Sequence, residues 1–537
     1  MKPDFDPRAA WAGTLGAAPL ASLGAVLALG IAVLLCYRGA LDNGLVRWDD
    51  DIYLERIPQL HGWTASNLAW MLTDRSWFYW HPVAYMDHAC DLSVFGTDWR
   101  MHHLMSVFLH LFNAAWVMVL ACAFLGPRRG EEPRARPAAV VGAAFLAALL
   151  WALHPLRVES VAWLAEKKDL LGAFFSFAAT AAWLLRWRAA ALGAFVLALA
   201  SKPLAVALPA AWFVLDVALF REGIRRSLLD KAPYLVLGMA AVVAGATGEK
   251  EEGRVSSPLA LGFDQRLLTP LWGYASPLVK TLLPLGLSPM DPQFDRAEIR
   301  LLTLRWGGSF LLLAAGTWWA VRRRGGFAVA WFAYLALAAP VSGIRQLAGL
   351  ATADRFSYLA TVPFYILAAA GILRWGRGAA AAAVLASAGL CALSIPQIEV
   401  WRSPETLWTR VLREWPDRGP EPHDHLGAWY ARERKTEKAT AEFRASLAIA
   451  ERNPTAHNNL GRMLEEAGDI AGAERHYRRA ADLAPGFAVV RLNMARMLAR
   501  RGRKEEAGRW YREALATGGW AHPGLRAEVE ALLGVAR

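Results

Sequence analysis

The chain has 537 residues, 55% of them hydrophobic and only 20% charged, whereas soluble domains run near 45 to 50% apolar and about 25% charged, which argues against a purely soluble enzyme. The net charge of +12 does not come as Lys/Arg runs interleaved with aromatic residues, so nucleic-acid binding is set aside. Arg clusters such as Arg322, Arg323 and Arg324 instead flank apolar runs, as in the cytoplasmic loops of membrane proteins, and the four cysteines have neither metal-ligand nor disulfide-framework spacing.

In chain order, the apolar runs predict eleven membrane spans. They are Leu15 to Tyr37, His102 to Leu125, Ala138 to Leu153, Leu170 to Leu185, Ala189 to Ala200, Leu204 to Phe220, Tyr234 to Thr247, Trp306 to Val321, Phe327 to Val341, Leu359 to Leu373 and Ala379 to Ile395. The first is longer than the apolar core of a signal peptide and lacks a cleavage site, so it is read as a retained span. The stretch Leu267 to Leu287, broken by Pro270, Pro277 and Pro284, is read as re-entrant or interfacial. Five basic loops then agree on one alternation that puts the loop from Arg38 to Met101, the stretches His154 to Asp169, Gly248 to Arg305 and Ser342 to Tyr358, and everything after Ile395 outside.

After residue 397 the apolar period becomes that of amphipathic helices, and a 34-residue repeat appears. Gly427, Gly461 and Ala495 share one small-residue position, Ala439, Ala473 and Ala507 a second, and Phe443, Tyr477 and Tyr511 an aromatic one. This register predicts tetratricopeptide repeats, in which small residues let paired helices approach and the aromatic ring fills the groove against the next repeat. Pro454 falls three residues later than Pro485 would predict, which implies a longer second helix in the first repeat. The expected fold is all-α: a multispanning domain over residues 1–397 and a soluble α-solenoid over 398–537.

Polar residues at the span ends carry the candidate chemistry. Trp48 is followed by Asp49, Asp50 and Asp51, and carboxylates packed this closely raise one another's pKa unless compensated, which suits a general base; the alternative is a solvated loop start. His103 and His110 share one face of a helix and form either a polar pocket or hydrogen-bonded links between helices. The segment His154 to Asp169 is amphipathic and should lie along the membrane interface, with Arg157, Lys167 and Lys168 facing lipid headgroups or a substrate phosphate. The same choice applies to Arg266 and Lys280, while Lys202 and the Asp354/Arg355 pair sit at the outer boundary, where Arg suits bidentate phosphate contacts. No phosphate-binding Gly-rich loop, dinucleotide fingerprint, nucleophile elbow or His-Glu-x-x-His is present, so soluble nucleotide donors and hydrolytic nucleophiles have no seat.

Together Trp-Asp-Asp-Asp at 48 to 51, Trp-His-Pro at 80 to 82, His103 with Leu109 and His110, the run His154, Glu159, Trp163, Asp169, Ser-Lys-Pro at 201 to 203, Arg266, Lys280 and Ala-Asp-Arg-Phe-Ser-Tyr at 353 to 358 resemble the bacterial relatives of the transmembrane and tetratricopeptide-repeat O-mannosyltransferases, multispanning glycosyltransferases of the GT-C class. The resemblance covers nearly the whole chain. It implies a polyprenyl-phosphate sugar donor, catalytic acids at Asp49 and Asp50, and transfer of a hexose, mannose in the namesake enzymes, to a Ser/Thr hydroxyl of a protein on the periplasmic face of the cell membrane. Arg355, Lys202, His103, Lys168, His154 and Arg266 are then the candidates for the donor phosphate and its pocket. A divalent metal, Mg or Mn, could sit among the acidic triplet and nearby histidines, though nothing in the spacing fixes a coordination geometry. The chain departs from the pattern at Ile57, Ser106 and Thr269, where relatives carry Asn, and these bear on which sugar and acceptor are used. The alternatives are transfer to a lipid-linked or surface glycan and a non-catalytic membrane scaffold whose repeats assemble envelope proteins.

Overall fold

The structure is a computed structural model and describes residues 6–75, 80–127, 135–248, 263–292, 299–343, 350–416 and 419–517. The chain separates into two compact units, the first ending at Ser403 and the second beginning at Pro404. Apart from a short antiparallel pairing of Asp291–Pro292 with Leu350–Thr352, the regular elements among the described residues are helical.

In the first unit the helices follow the apolar runs, and several open on a proline whose missing N–H costs nothing there: Pro19, Pro82 and Pro137. Helix Pro19–Cys36 buries Leu29, Val33 and Cys36 but leaves Leu20 84%, Ile31 61% and Leu35 67% exposed. An apolar face of that extent is ruinous in water and natural in lipid.

Four helices among the described residues are long and apolar enough to cross a membrane: Pro19–Cys36, Trp99–Leu125, Ile224–Ala244 and Arg377–Val400. Two bent pairs, Pro137–Ala152 with Pro155–Ala162 and Asp354–Ala360 with Val362–Trp375, would make six if each is one broken span. The expected eleven crossings are therefore not confirmed. Three more apolar helices, Arg188–Ser201, Pro203–Ala218 and Gly325–Val341, are short; a helix of 14 residues rises about 21 Å, less than the ~30 Å hydrocarbon layer. The two remaining expected spans, Leu170 to Leu185 and Trp306 to Val321, fall on helices Lys167–Leu184, which opens Lys-Lys-Asp, and Ile299–Arg323, which ends on two arginines. The stretch expected to be broken by prolines is one helix, Phe263–Leu282, continuous through Pro270 and Pro277 and ending before Pro284.

In the second unit, helix Pro404–Glu414 precedes three helix pairs: Glu421–Arg432 with Thr436–Ile449, Pro454–Glu466 with Ile470–Leu483, and Ala488–Arg500 with Lys504–Ala516. Phe443, Tyr477 and Tyr511 are all buried. A Cβ built on Gly427 would stand 2.7 Å from the Phe443 ring, and one on Gly461 2.9 Å from Tyr477. The aromatic ring thus packs on the glycine of its own repeat and sets the spacing of that repeat's two helices. The expected longer helix is also absent, since Thr436–Ile449 and Ile470–Leu483 both have 14 residues. Pro454 instead opens the following helix, with Asn453 as N-cap accepting from the Thr455 and Ala456 N–H groups.

Candidate active site

Helix Pro137–Ala152 cannot continue through Pro155, and the chain turns by 62° into a run of short pieces. These are Pro155–Arg157, Val158–Ala162, an extended Trp163 and Leu164–Glu166, after which helix Lys167–Leu184 begins. Every residue from His154 to Asp169 is buried. This overturns the expectation of an interfacial segment: six charged residues, Arg157, Glu159, Glu166, Lys167, Lys168 and Asp169, lie inside the unit. Burial of so many charges is tolerable only if they are paired.

The pairs come from distant parts of the chain. Glu159 accepts from the Arg355 backbone N–H at 2.9 Å and is bridged by the Arg355 guanidinium. Glu166 lies 2.7 Å from Lys202 Nζ, 3.4 Å from Lys168 Nζ and 3.5 Å from Arg355 Nε. Asp169 pairs with Lys202 and accepts from Ser160 Oγ at 3.4 Å. Three carboxylates and three cations therefore face one another. Burial alone would raise the Glu166 carboxyl, but the adjacent Lys168, Lys202 and Arg355 hold it well below the usual carboxylate range. Lys202 reaches the cluster because Pro203 ends helix Arg188–Ser201 and because Gly172 has only 3.4 Å between an added Cβ and Lys202 Cβ.

The acidic loop is fastened over this cluster. Asp50 is 1% exposed, and its two carboxylate oxygens accept from the Val46 N–H at 2.8 Å and the Ala165 N–H at 2.9 Å. Burial lifts its carboxyl to about 7 against the pull of those two donors. Asp50 thereby ties the loop to the buried run. Asp51 pairs with Arg56 at 2.5 Å. Asp49 is half-buried and within electrostatic reach of Lys168 and Tyr53. Trp48 stacks on Trp163 at 4.7 Å, Trp163 on Trp401 at 5.3 Å, and the Arg355 guanidinium lies 5.3 Å from the centre of the Trp163 ring. With Asp50 and Asp51 engaged separately by backbone and by Arg56, the acidic triplet does not converge as a metal site, and among the described residues no group of three His, Cys, Asp or Glu side chains does.

The remaining candidates stand elsewhere. His154 caps its own turn: Nδ1 accepts from the Leu156 N–H at 3.2 Å and Nε2 donates to the Thr281 carbonyl at 3.1 Å. His103 is buried in helix Trp99–Leu125 beside the backbone of Asn43 and Gly44, outside the cluster. His110 links helices, with Tyr358 Oη at 2.7 Å and the Ala152 carbonyl at 3.0 Å. Arg266 belongs to helix Phe263–Leu282, and its side chain lies outside the described residues. Asp354 holds Lys280 at 2.7 Å. Sequence reasoning missed Glu166 as the hub of the cluster; the only signal was its position beside Lys167 and Lys168.

Two cavities adjoin the cluster. A narrow one of about 30 Å³ is bounded by Asp169, Lys202, Arg355 and Tyr358. A larger one of about 550 Å³ has an almost wholly apolar lining that includes Leu120, Phe177, Trp212, Val329 and Ile366. Leu337 and Leu359 line both.

A family profile described as tetratricopeptide repeat matches residues 464–518. The second unit carries tetratricopeptide repeats. The matched stretch contains Ala473, Tyr477, Ala495, Ala507 and Tyr511, the small and aromatic positions at which the repeat helices meet. A search of curated proteins finds no match to the chain.

Proposed function

We propose that the chain is an integral membrane glycosyltransferase that moves a hexose from a polyprenyl-phosphate sugar to a hydroxyl of a protein on the outer face of the cell membrane. The observation that carries this reading is an apolar cavity of about 550 Å³ that shares walls with a cavity bounded by Arg355 and Lys202. An apolar cavity next to one bounded by cations suits a ligand with a hydrocarbon tail and an anionic head, and the motifs at 48 to 51, 201 to 203 and 353 to 358 resemble those of the O-mannosyltransferase-like family.

In this mechanism the donor tail lies in the apolar cavity and its phosphate meets Arg355, Lys202 and Lys168. Asp49 takes the proton of the acceptor hydroxyl as the oxygen attacks the anomeric carbon. The bond from that carbon to the phosphate oxygen breaks, and the phosphate leaves with the electron pair, stabilised by fixed cations in a water-poor site. Asp50 holds the loop that carries Asp49. The repeats, on the same face, bind the acceptor protein.

The test is transfer by the purified full chain from radiolabelled polyprenyl-phosphate mannose or glucose to a membrane-protein extract. Asp49→Asn is expected to lower the rate by about 10² to 10⁴ while leaving the melting temperature unchanged. Equal transfer by a folded Asp49→Asn variant would remove Asp49 from the mechanism, and no transfer from either donor by folded wild type would overturn the reading.

A further inference from the structure

The cations expected to meet the donor phosphate are already engaged, and one carboxylate engages all of them. Glu166 reaches Lys202 at 2.7 Å, Lys168 at 3.4 Å and Arg355 at 3.5 Å. Each cation has a second partner independent of Glu166. Lys202 has Asp169, Arg355 has Glu159, and Lys168 lies 5.1 Å from the centre of the Tyr53 ring with Asp49 in electrostatic reach. Withdrawing Glu166 therefore leaves Lys202 and Arg355 each with a carboxylate and Lys168 with the Tyr53 ring and the field of Asp49, whereas withdrawing Glu159 would cost Arg355 its closest contact.

Moving the Glu166 side chain would unwind no helix. It closes the one-turn segment Leu164–Glu166 and is the N-cap residue of helix Lys167–Leu184, yet its side chain makes no capping bond. The positive end of that helix gives the displaced carboxylate a favourable second seat.

We propose that Glu166 is a displaceable internal anion: the donor phosphate takes its place among Lys168, Lys202 and Arg355, and its return expels the spent lipid phosphate. The inference rests on the glycosyltransferase reading. Its chemistry distinguishes donor from product. A polyprenyl-phosphate sugar is a diester with one negative charge, while the polyprenyl monophosphate left after transfer carries about 1.5 to 2. The product would hold three cations more tightly than the donor does, and a competing carboxylate tethered beside them weakens that grip. Glu166 is thus a positioning residue that acts through the cations and touches no reacting atom.

The experiment measures binding of a short-chain polyprenyl monophosphate, and of the matching uncharged polyprenol, to the purified full chain by quenching of tryptophan fluorescence. Glu166→Gln is expected to tighten the monophosphate on the order of tenfold, one competing charge having been removed, and to leave the polyprenol unchanged. Under multiple turnover kcat falls as product release slows, while the single-turnover transfer rate holds. Glu166→Asp, which keeps the charge on a shorter stem, is expected to tighten the monophosphate less, and it decides the matter should the glutamine variant fail to fold. Monophosphate affinity unchanged or weakened in the folded variant would make Glu166 a structural ion-pair partner only and overturn the inference. Wild type that binds monophosphate no better than polyprenol would instead overturn the donor reading itself.

Discussion

Two of the buried ionic groups in the first unit look alike on paper and differ in construction. Around Asp216, fully buried, donors converge on one carboxylate: Lys231, Ser227 Oγ at 3.1 Å and Trp183 Nε1 at 3.3 Å, with Arg186 Nη1 at 3.9 Å and itself paired to Glu222 at 2.6 Å. Around Glu166 the cations outnumber their common acceptor, each has a second partner, and cavities adjoin. The lesson is that a buried charge marks a site only when removing its partner leaves the rest satisfied and opens a place for a ligand. Asp216 is a fastener for the helices around it; Glu166 is the carboxylate that the proposed donor phosphate would displace.

That contrast predicts opposite phenotypes, and the largest effect separates them directly. Asp216→Ala removes the carboxylate on which Lys231, Ser227 and Trp183 converge, leaving Lys231 without a counter-charge in contact, and is expected to cost about 3 to 5 kcal/mol, read as a lowered melting temperature, with transfer per folded molecule unchanged. Arg355→Ala is expected to lower transfer per folded molecule by about 10² to 10³, as loss of a preorganised charge stabiliser does. If Asp216→Ala abolishes transfer in protein that remains folded, the two groups are not different in kind.

A smaller effect tests whether the second unit stands apart from this chemistry. Gly461→Val drives a branched side chain into Tyr477, whose ring would lie 2.9 Å from the new Cβ. Overpacking of this sort costs about 1 to 3 kcal/mol, visible in the unfolding of the repeats, while monophosphate binding by the full chain stays at the wild-type value. Transfer to a protein acceptor is expected to fall with it, and transfer to a small hydroxyl acceptor to hold.

The smallest effect concerns Asp50. Its folded pKa of about 7 lies above the unfolded carboxylate value of 3.8, so the folded state binds the extra proton between those limits and this group's contribution to stability declines as pH rises through them. Wild type should therefore lose melting temperature relative to Asp50→Asn on going from pH 5 to pH 7.5. A constant difference between the two across that range would mean that Asp50 stays ionised throughout, held by the Val46 and Ala165 N–H groups.

The repeat unit was legible almost residue by residue, because the small-residue and aromatic contacts within each repeat join positions inside one 34-residue period. Phe443 meets Gly427 and Tyr477 meets Gly461, both 16 residues apart, so periodicity in the sequence is periodicity in space. Even there the detail at Pro454 went astray, since a proline serves equally well to end one helix or to open the next. The site was legible only as a set of residue types. The run from His154 to Asp169 has the composition of an interfacial helix, and nothing local reveals that Arg355, 196 positions beyond Glu159, and Lys202, 36 beyond Glu166, come to neutralise it. Similarly, Asp49 and Asp50 are indistinguishable by type, and nothing local announces that the Val46 and distant Ala165 N–H groups bond to Asp50.

By itself the sequence determined the helical character of the chain, the apolar runs that yield four to six membrane-capable helices, and the tetratricopeptide register, since these depend on composition and short-range period. The tertiary structure decided which charges are buried, which of two adjacent carboxylates is held by backbone, and that Glu166 sits at the meeting point of three cations. Those outcomes depend on which distant partner arrives to offset the desolvation of each charge, and a linear pattern carries no record of that pairing.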